Sequence, residues 1–271
     1  MTPYLTHSEA WRRQLEVVKA AGRDSAPRGM ATRETRWSQF TVLDPMSFHL
    51  DVDGRDFRDV IGILEGLSLV GQVNVPEMFT DRIKKFSEFT DAGVFHGAYG
   101  ARVHGRLGDL VSLLERDPDT RQAVLTIYDS RSDLGVTKRD VPCTVALQFM
   151  LGPNGLDMKV MMRSNDAWLG MPYDLVQFSI LQGAVAQALG VNPNIYVHSV
   201  GSLHIYDRDL SKINDLGNAD YTNTVPFPLF GGEGSIADIG MRARRMLVGG
   251  NRRFFSAETE FERWAVELLA G

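Results

Sequence analysis

The chain has 271 residues, of which 44% are hydrophobic and 23% charged, and a formal net charge of −5. That length buries a substantial core without staples, and its one cysteine excludes an internal disulfide and suits a reducing compartment. A mildly acidic balance argues against a broad DNA- or RNA-binding surface but leaves room for one small anion held by a few arginines.

The first 21 residues mix Glu9, Arg12, Arg13, Glu16 and Lys19 with their apolar positions. No signal-peptide core is expected there, and no run reaches the roughly 18 apolar residues that cross a bilayer. The expectation is a cytoplasmic protein without membrane contact. Trp11, Leu15 and Val18 recur at helical spacing and predict an amphipathic helix over residues 7–21. The arginine-rich stretch Asp24 to Arg36 reads as a loop, and alternation from Phe40 to Leu50 as a strand. Asp56 to Leu69 reads as a mostly buried helix, and Arg106 to Arg116 as another, stopped by Asp117-Pro118-Asp119.

Strands are predicted over Gln122 to Tyr128, Val145 to Leu151 and Leu156 to Met162. Pro172 suits the first turn of a long helix carrying Leu175, Phe178, Leu181, Val185 and Leu189, with Gly190 closing it. A strand from Ile195 to Ile205 and a C-terminal helix from Ala257 to Leu269, capped by Ser256, complete the pattern. Without regular βαβ alternation, without repeats and without linkers, the chain reads as one α+β domain over residues 1–271. Phosphate-loop and dinucleotide fingerprints are absent. So are paired Cys or His at metal-ligand spacing, and no metal is expected.

A lone cysteine is more often a small buried hydrophobe than a nucleophile. Cys143 keeps unusual company, however. It stands in Val-Pro-Cys-Thr, twenty residues before Arg163-Ser164-Asn165-Asp166-Ala167-Trp168-Leu169-Gly170-Met171-Pro172-Tyr173-Asp174, and His204-Ile205-Tyr206 follows. In this order and spacing the chain resembles the thymidylate synthase family. The resemblance runs from about Tyr99 to Asp207, is weaker from Arg28 to Phe89 and is poor beyond Tyr221.

The resemblance implies an α+β fold whose large mixed sheet packs back-to-back in a homodimer. It implies covalent catalysis, in which the Cys143 thiolate adds to C6 of a pyrimidine nucleoside monophosphate so that C5 becomes nucleophilic. By motif position Arg163 lies beside both sulfur and phosphate. Arg28, with Arg33 as the alternative, and Ser164 bind phosphate, and Arg121 reaches the partner's phosphate site, followed here by Gln122 where the family has a second arginine. His204 and Tyr206 match the family's residues that hold the sugar, and Tyr99 and Glu65 resemble those that handle protons near C5. Methylenetetrahydrofolate is the implied one-carbon donor, with Asp166 on its pterin and Leu169, Gly170, Tyr173, Phe86 and Phe89 lining its pocket.

Three departures point to hydroxymethylation of dCMP. Asp174 replaces the asparagine that reads uracil, and cytosine reverses the donor and acceptor pattern. Phe86 and Phe89 stand where tryptophans are usual, and the chain closes Glu-Leu-Leu-Ala-Gly rather than in the family's tail. CMP hydroxymethylation and dUMP methylation are the alternatives within the class. A non-catalytic nucleotide- or RNA-binding relative is the alternative outside it, disfavoured by the intact nucleophile.

Overall fold

In the computed structural model, which describes residues 3–219, 222–232, 234–248 and 255–270 and only the backbone of Lys85, a seven-stranded mixed sheet carries the site. Its strands are β1 (Pro3–Tyr4), β2 (Arg23–Ser25), β3 (Thr32–Val42), β6 (Val124–Thr126), β7 (Thr144–Gly152), β8 (Gly155–Asp166) and β9 (Pro193–Tyr206). A two-stranded hairpin, β4 (Thr90–Asp91) and β5 (Val94–Phe95), lies apart. The sheet order is β1-β3-β9-β8-β7-β6, with β2 antiparallel to β3. β8 and β9 run parallel, which demands a crossover helix, and α7 (Met171–Ala188) supplies it. The remaining helices are α1 (His7–Ala21), α2 (Asp59–Val70), α3 (Pro76–Thr80), α4 (Tyr99–Arg102), α5 (Arg106–Arg116), α6 (Ser130–Asp133), α8 (Asp207–Leu210), α9 (Ile236–Val248) and α10 (Glu260–Ala270). This is the expected α+β class.

α1 forms as expected. Thr6 caps it by accepting the Glu9 N–H, and Trp11, Leu15 and Val18 are fully buried. α7 is buried almost all round, as a central helix must be when its sequence is apolar on every face. Pro172 sits in its first turn, and Gly190 follows its end with φ +68°. α2 lies across α7 at unusually close range, because Gly62 and Gly66 face it: a Cβ at Gly62 would stand 2.7 Å from Val176 Cβ, and one at Gly66 2.6 Å from Ile180 Cδ1.

Three local expectations fail, and one helix is unforeseen. The predicted loop at 24–36 is instead most of β2, a short turn and the first five residues of β3. Its polarity misleads because Glu34, 9% exposed, is held by Arg23 at 3.0 Å, Arg36 at 2.8 Å and the Ser202 hydroxyl at 2.9 Å. The predicted strand at 40–50 stops at Val42, where Pro45 has no N–H to pair and Asp44 accepts from Met46 N–H and, through its carbonyl, from the Ser47 hydroxyl. α9 was not foreseen. The last helix starts at Glu260, and its cap is Thr259 rather than Ser256: Thr259 Oγ1 accepts the Glu262 N–H at 3.1 Å and Glu262 Oε2 accepts the Thr259 N–H at 3.3 Å, a reciprocal capping box. The final Gly271 lies outside the described residues.

The β3–β9 register runs unbroken past Trp37, from Arg36 opposite Ser202 to Ser38 opposite Val200. Trp37 has φ +59° and is 83% exposed. With Val124, Val145 and Met150 it leaves apolar surface open on the sheet.

Candidate active site

Adjacent strands bring the central pair together. Arg163 on β8 donates its backbone N–H to the Cys143 carbonyl at 2.8 Å. Its guanidinium folds back over the segment before the cysteine, with Nε on Pro142 O at 2.9 Å and Nη2 on Val141 O at 3.0 Å. Cys143 is half-buried and free. Burial pushes its thiol above the ordinary cysteine value, and the charges of Asp174 and Asp140 push the same way. Arg163 pulls it down most and Arg28 next, but they do not win. The Arg163 charge thus acts on the thiol, but burial outweighs it.

Asp174 sits in the first turn of α7 and is the electrostatic hub. Burial pushes its carboxyl up to about 7, with Asp166 adding to the rise, while Asn165 and Gln177 restrain it. Asn165 Nδ2 donates to Oδ2 at 2.5 Å and Gln177 Nε2 to Oδ1 at 2.8 Å. Its charge reaches Cys143, Glu65, Tyr99 and Tyr196, and raises the pKa of each.

The α2–α7 contact delivers Glu65. Desolvation, then Asp174 and Asp140, hold its carboxyl well above the usual range. Among the described residues nothing hydrogen-bonds it. Tyr99, opening α4, stacks on Phe178 of α7 with ring centres 6.1 Å apart. Its hydroxyl oxygen accepts from the Thr144 N–H at 3.3 Å and from the Thr144 hydroxyl at 3.1 Å, one residue from the cysteine. Burial pushes its phenol well above 10, with Asp174 and Cys143 adding to the rise.

Two loops are tied together behind these groups. Asp133 of α6 lies 2.8 Å from His96 Nε2 and accepts both Arg102 nitrogens, at 2.8 and 3.0 Å. Arg102 also donates to His96 O, and the Gly97 N–H donates to Asp140 Oδ2 at 2.8 Å. The chain around Tyr99 is thereby fixed to the chain leading into Cys143.

At the turn from β8 into α7, Asp166 Oδ1 accepts the N–H groups of Trp168 (2.9 Å) and Leu169 (3.0 Å). Burial raises its carboxyl against these bonds and against His204. Oδ2 takes no hydrogen bond among the described residues, and the neighbouring Leu169 is 41% exposed. Gly170 O accepts the Tyr173 N–H, and the Tyr173 hydroxyl accepts the Arg58 N–H at 3.4 Å. One spare carboxyl oxygen beside the exposed Leu169 and the half-buried Tyr173 is a donor set that suits a flat, hydrogen-bonding heterocycle such as a pterin.

The outer residues lie as follows. Arg28 occupies a left-handed turn position, φ 54°, exposed and within electrostatic reach of Cys143. Arg33 instead reaches Asp24 at 3.5 Å. Ser164 pairs in register with Ser202. His204 and Tyr206 close β9, their rings edge to face at 5.5 Å, and Arg208 covers the Tyr206 ring at 4.5 Å. Phe86 makes its ring contacts with Phe79, Phe89 and Phe95. Arg121 is exposed beside edge strand β6, and no contact among the described residues joins it to Cys143. Sequence reasoning missed Asp140, Asn165 and Gln177. For Gln177 the available signal was a polar residue at helical spacing three positions after Asp174.

The sequence model of the thymidylate synthase family matches residues 72–226. The chain is 33% identical over 174 residues to a deoxyuridylate hydroxymethyltransferase of Pseudomonas phage M6, covering 60% of this chain and 49% of that protein. It is 32% identical over 213 residues to a deoxyuridylate hydroxymethyltransferase of Bacillus phage SP01, covering 72% and 56%. It is 30% identical over 144 residues to a thymidylate synthase of Phytoplasma mali, covering 50% and 48%. The matches thus span about half the length of these relatives.

Proposed function

The chain belongs to the thymidylate synthase family, and from that premise we propose that it transfers a one-carbon unit to C5 of a pyrimidine deoxynucleotide and delivers it as hydroxymethyl, with dCMP as the base-specific substrate. The observation that carries the choice of base is Asp174: a buried carboxyl, not an amide, whose charge is felt by the cysteine thiol.

In this reading Arg28, Arg163 and Ser164 bind the phosphate, which arginine does with fixed, always-charged donors. His204 and Tyr206 orient the sugar. Asp174 accepts from the cytosine amino group, and the N3 proton that adduct formation favours completes the pair. Cys143 loses its proton and Sγ bonds to C6, leaving C5 with the electron density to attack carbon. Glu65 and Tyr99 are the groups offered to the departing C5 proton, whose electron pair would form the exocyclic methylene as the donor's nitrogen leaves with the C–N pair; water would then add to that methylene and Cys143 depart with its electron pair. Methylenetetrahydrofolate supplies carbon at the formaldehyde oxidation level, and Asp166, Leu169, Gly170, Tyr173, Phe86 and Phe89 are the residues offered to it. A homodimer, packed through the open sheet face with Trp37, Val124, Val145 and Met150, completes the proposal and would bring Arg121 to the partner's phosphate. Among the described residues no helix is long and apolar enough to cross a membrane, in keeping with a cytoplasmic enzyme.

The names of the relatives favour a second substrate, dUMP, with the same hydroxymethyl product. Incubation with CMP, dCMP, UMP and dUMP plus methylenetetrahydrofolate, read by product mass, decides both points. Gain of CH2O by dCMP is expected. Gain of CH2 would refute hydroxymethylation, and turnover confined to dUMP would refute the reading of Asp174.

A further inference from the structure

Thr144 directly follows the cysteine and is fully buried. It aims two donors at one atom. Its backbone N–H and its hydroxyl both donate to the Tyr99 phenol oxygen, at 3.3 and 3.1 Å. A β-bulge comes next, where Thr144 stands opposite Met162 and Ala146 opposite Met161. Bulges of this kind re-aim side chains beside a site. The Tyr99 ring has other holds. It stacks on Phe178 of α7 at 6.1 Å, and Arg102 on the same short helix is clamped by Asp133 through bonds of 2.8 and 3.0 Å. Those contacts hold the ring, and the two Thr144 bonds bear on its oxygen. Because the oxygen receives both, the phenol still has its own proton to give, and among the described residues nothing accepts it.

We propose that Thr144 is a positioning residue for proton removal at C5: it steadies the Tyr99 oxygen beside Cys143 and stabilises the negative charge that oxygen carries while a proton is passed. The inference rests on the proposed reading that Tyr99 faces C5 of the bound nucleotide. A neutral phenol is no base. Tyr99 can take the C5 proton only by giving its own to water, and the C–H electron pair then stays with carbon. In between, the phenol oxygen is negative. Hydrogen bonds donated to a charged form favour it, and they are stronger than bonds between neutral groups. Burial, Asp174 and Cys143 all oppose ionisation of Tyr99, and the two Thr144 bonds alone favour it. Thr144 has no charge of its own and already points both donors at the oxygen. It therefore needs no rearrangement when the charge develops.

The test follows tritium release from C5-labelled dCMP and dUMP, with methylenetetrahydrofolate and the full chain, in single turnovers so that slow variants still register. Thr144→Val removes the hydroxyl donor and keeps a branched side chain suited to a strand. Release should slow roughly tenfold to a hundredfold, the worth of one hydrogen bond to a charged group, with nucleotide affinity measured without folate unchanged. The deuterium isotope effect at C5 should grow, because proton removal becomes the slower step. Thr144→Ser should recover most of the rate. In a Tyr99→Phe background Thr144→Val should change nothing further, since no phenol oxygen remains for it to act on. Tritium release at the unaltered rate in Thr144→Val overturns the inference. So does a loss of equal size in the Tyr99→Phe background, or one that serine does not recover, because each marks a merely structural role. Should Thr144→Val not fold, Thr144→Ala takes its place in the same cycle and is judged by the same results. If Tyr99→Phe leaves release untouched while Cys143→Ser abolishes it, the proton leaves by another route and the Thr144 inference alone fails. If the unaltered protein releases no tritium from either nucleotide, the proposed reaction fails and the inference with it.

Discussion

Gly62→Ala tests the helix contact on which the site is hung. The added Cβ would stand 2.7 Å from Val176 Cβ, 2.7 Å from Cγ1 and 3.2 Å from Cγ2. A valine Cβ is fixed by its backbone and its χ1 is stiff, so no rotamer relieves the clash and α2 must lift from α7. Overpacking of this kind costs about 3 kcal/mol at its upper range, and the better helix propensity of alanine returns about 1 kcal/mol. A net loss of about 2 kcal/mol is expected, or a fall of roughly 4–8 °C in Tm. Gly108 in α5 is the control, because a Cβ there meets nothing within 4 Å: Gly108→Ala should raise stability by about 0.5–1 kcal/mol. Thermal unfolding by circular dichroism measures both. Since α2 carries Glu65 and α7 carries Asp174, kcat should fall in Gly62→Ala by more than 1/KM does. A Gly62→Ala protein as stable as Gly108→Ala would refute the close-approach argument.

Cys143→Ser should abolish tritium release from C5-labelled nucleotide while preserving nucleotide binding, and residual release at the unaltered rate would exclude the covalent step. Alkylation of Cys143 by iodoacetamide should show a midpoint above the ordinary thiol value in the unliganded protein, and Asp174→Asn should lower it by removing one of the charges that raise it; a midpoint below the ordinary value would contradict the burial argument. The Asp133 carboxyl is brought down to about 2 against the opposing cost of burial, by its hydrogen bonds to Arg102, the Asp129 N–H and His96 and by the Arg102 charge. A depressed carboxyl adds stability above its unfolded pKa and loses it as pH falls through the folded one, so Asp133→Asn should cost about 2 kcal/mol above pH ~4, with the difference closing towards pH ~2. Urea unfolding across that range checks it, and a difference that persists at pH ~2 would show that shape rather than charge is what the loop uses.

Much of this was legible in the sequence where burial and periodicity coincide. α1, α5, α7 and β7 to β9 follow from apolar spacing, and the cysteine, arginine and Asp174 follow from one resemblance of fixed order. What escaped was polar structure. β3 reads as a loop because Glu34 and its arginines neutralise each other only across strands, and no local window contains Arg23, Glu34 and Ser202 together. α9 and the true start of α10 are announced by short capping pairs, Ser235 with Asp238 and Thr259 with Glu262, that carry little weight without their contacts. Asn165 was in view as the variable position of a motif and Gln177 as a helix residue. Only the fold shows that both point at one carboxyl.

The site's charge balance gives those missed amides their importance. A nucleophilic thiol is usually activated by surrounding cations, yet Cys143 faces Asp174 and Asp140 as well as Arg163 and Arg28, and burial works against it. Glu65 and Tyr99 keep their protons for the same reason. The unliganded pocket is thus a store of protons with one member, Asp174, poised to release its own near neutrality. A base that pairs with the Asp174 carboxylate spreads its negative charge into hydrogen bonds and reduces what the thiol feels. In the proposed reading, the groups that would decide which base is accepted would also influence whether the nucleophile ionises, so a mismatched base would meet both a poorer fit and a less reactive sulfur. Selectivity and activation would then be coupled through one carboxyl, and such coupling requires Asp174 to be held by neighbours that carry no charge of their own, which is what the two amides Asn165 and Gln177 provide and a lysine or arginine would not.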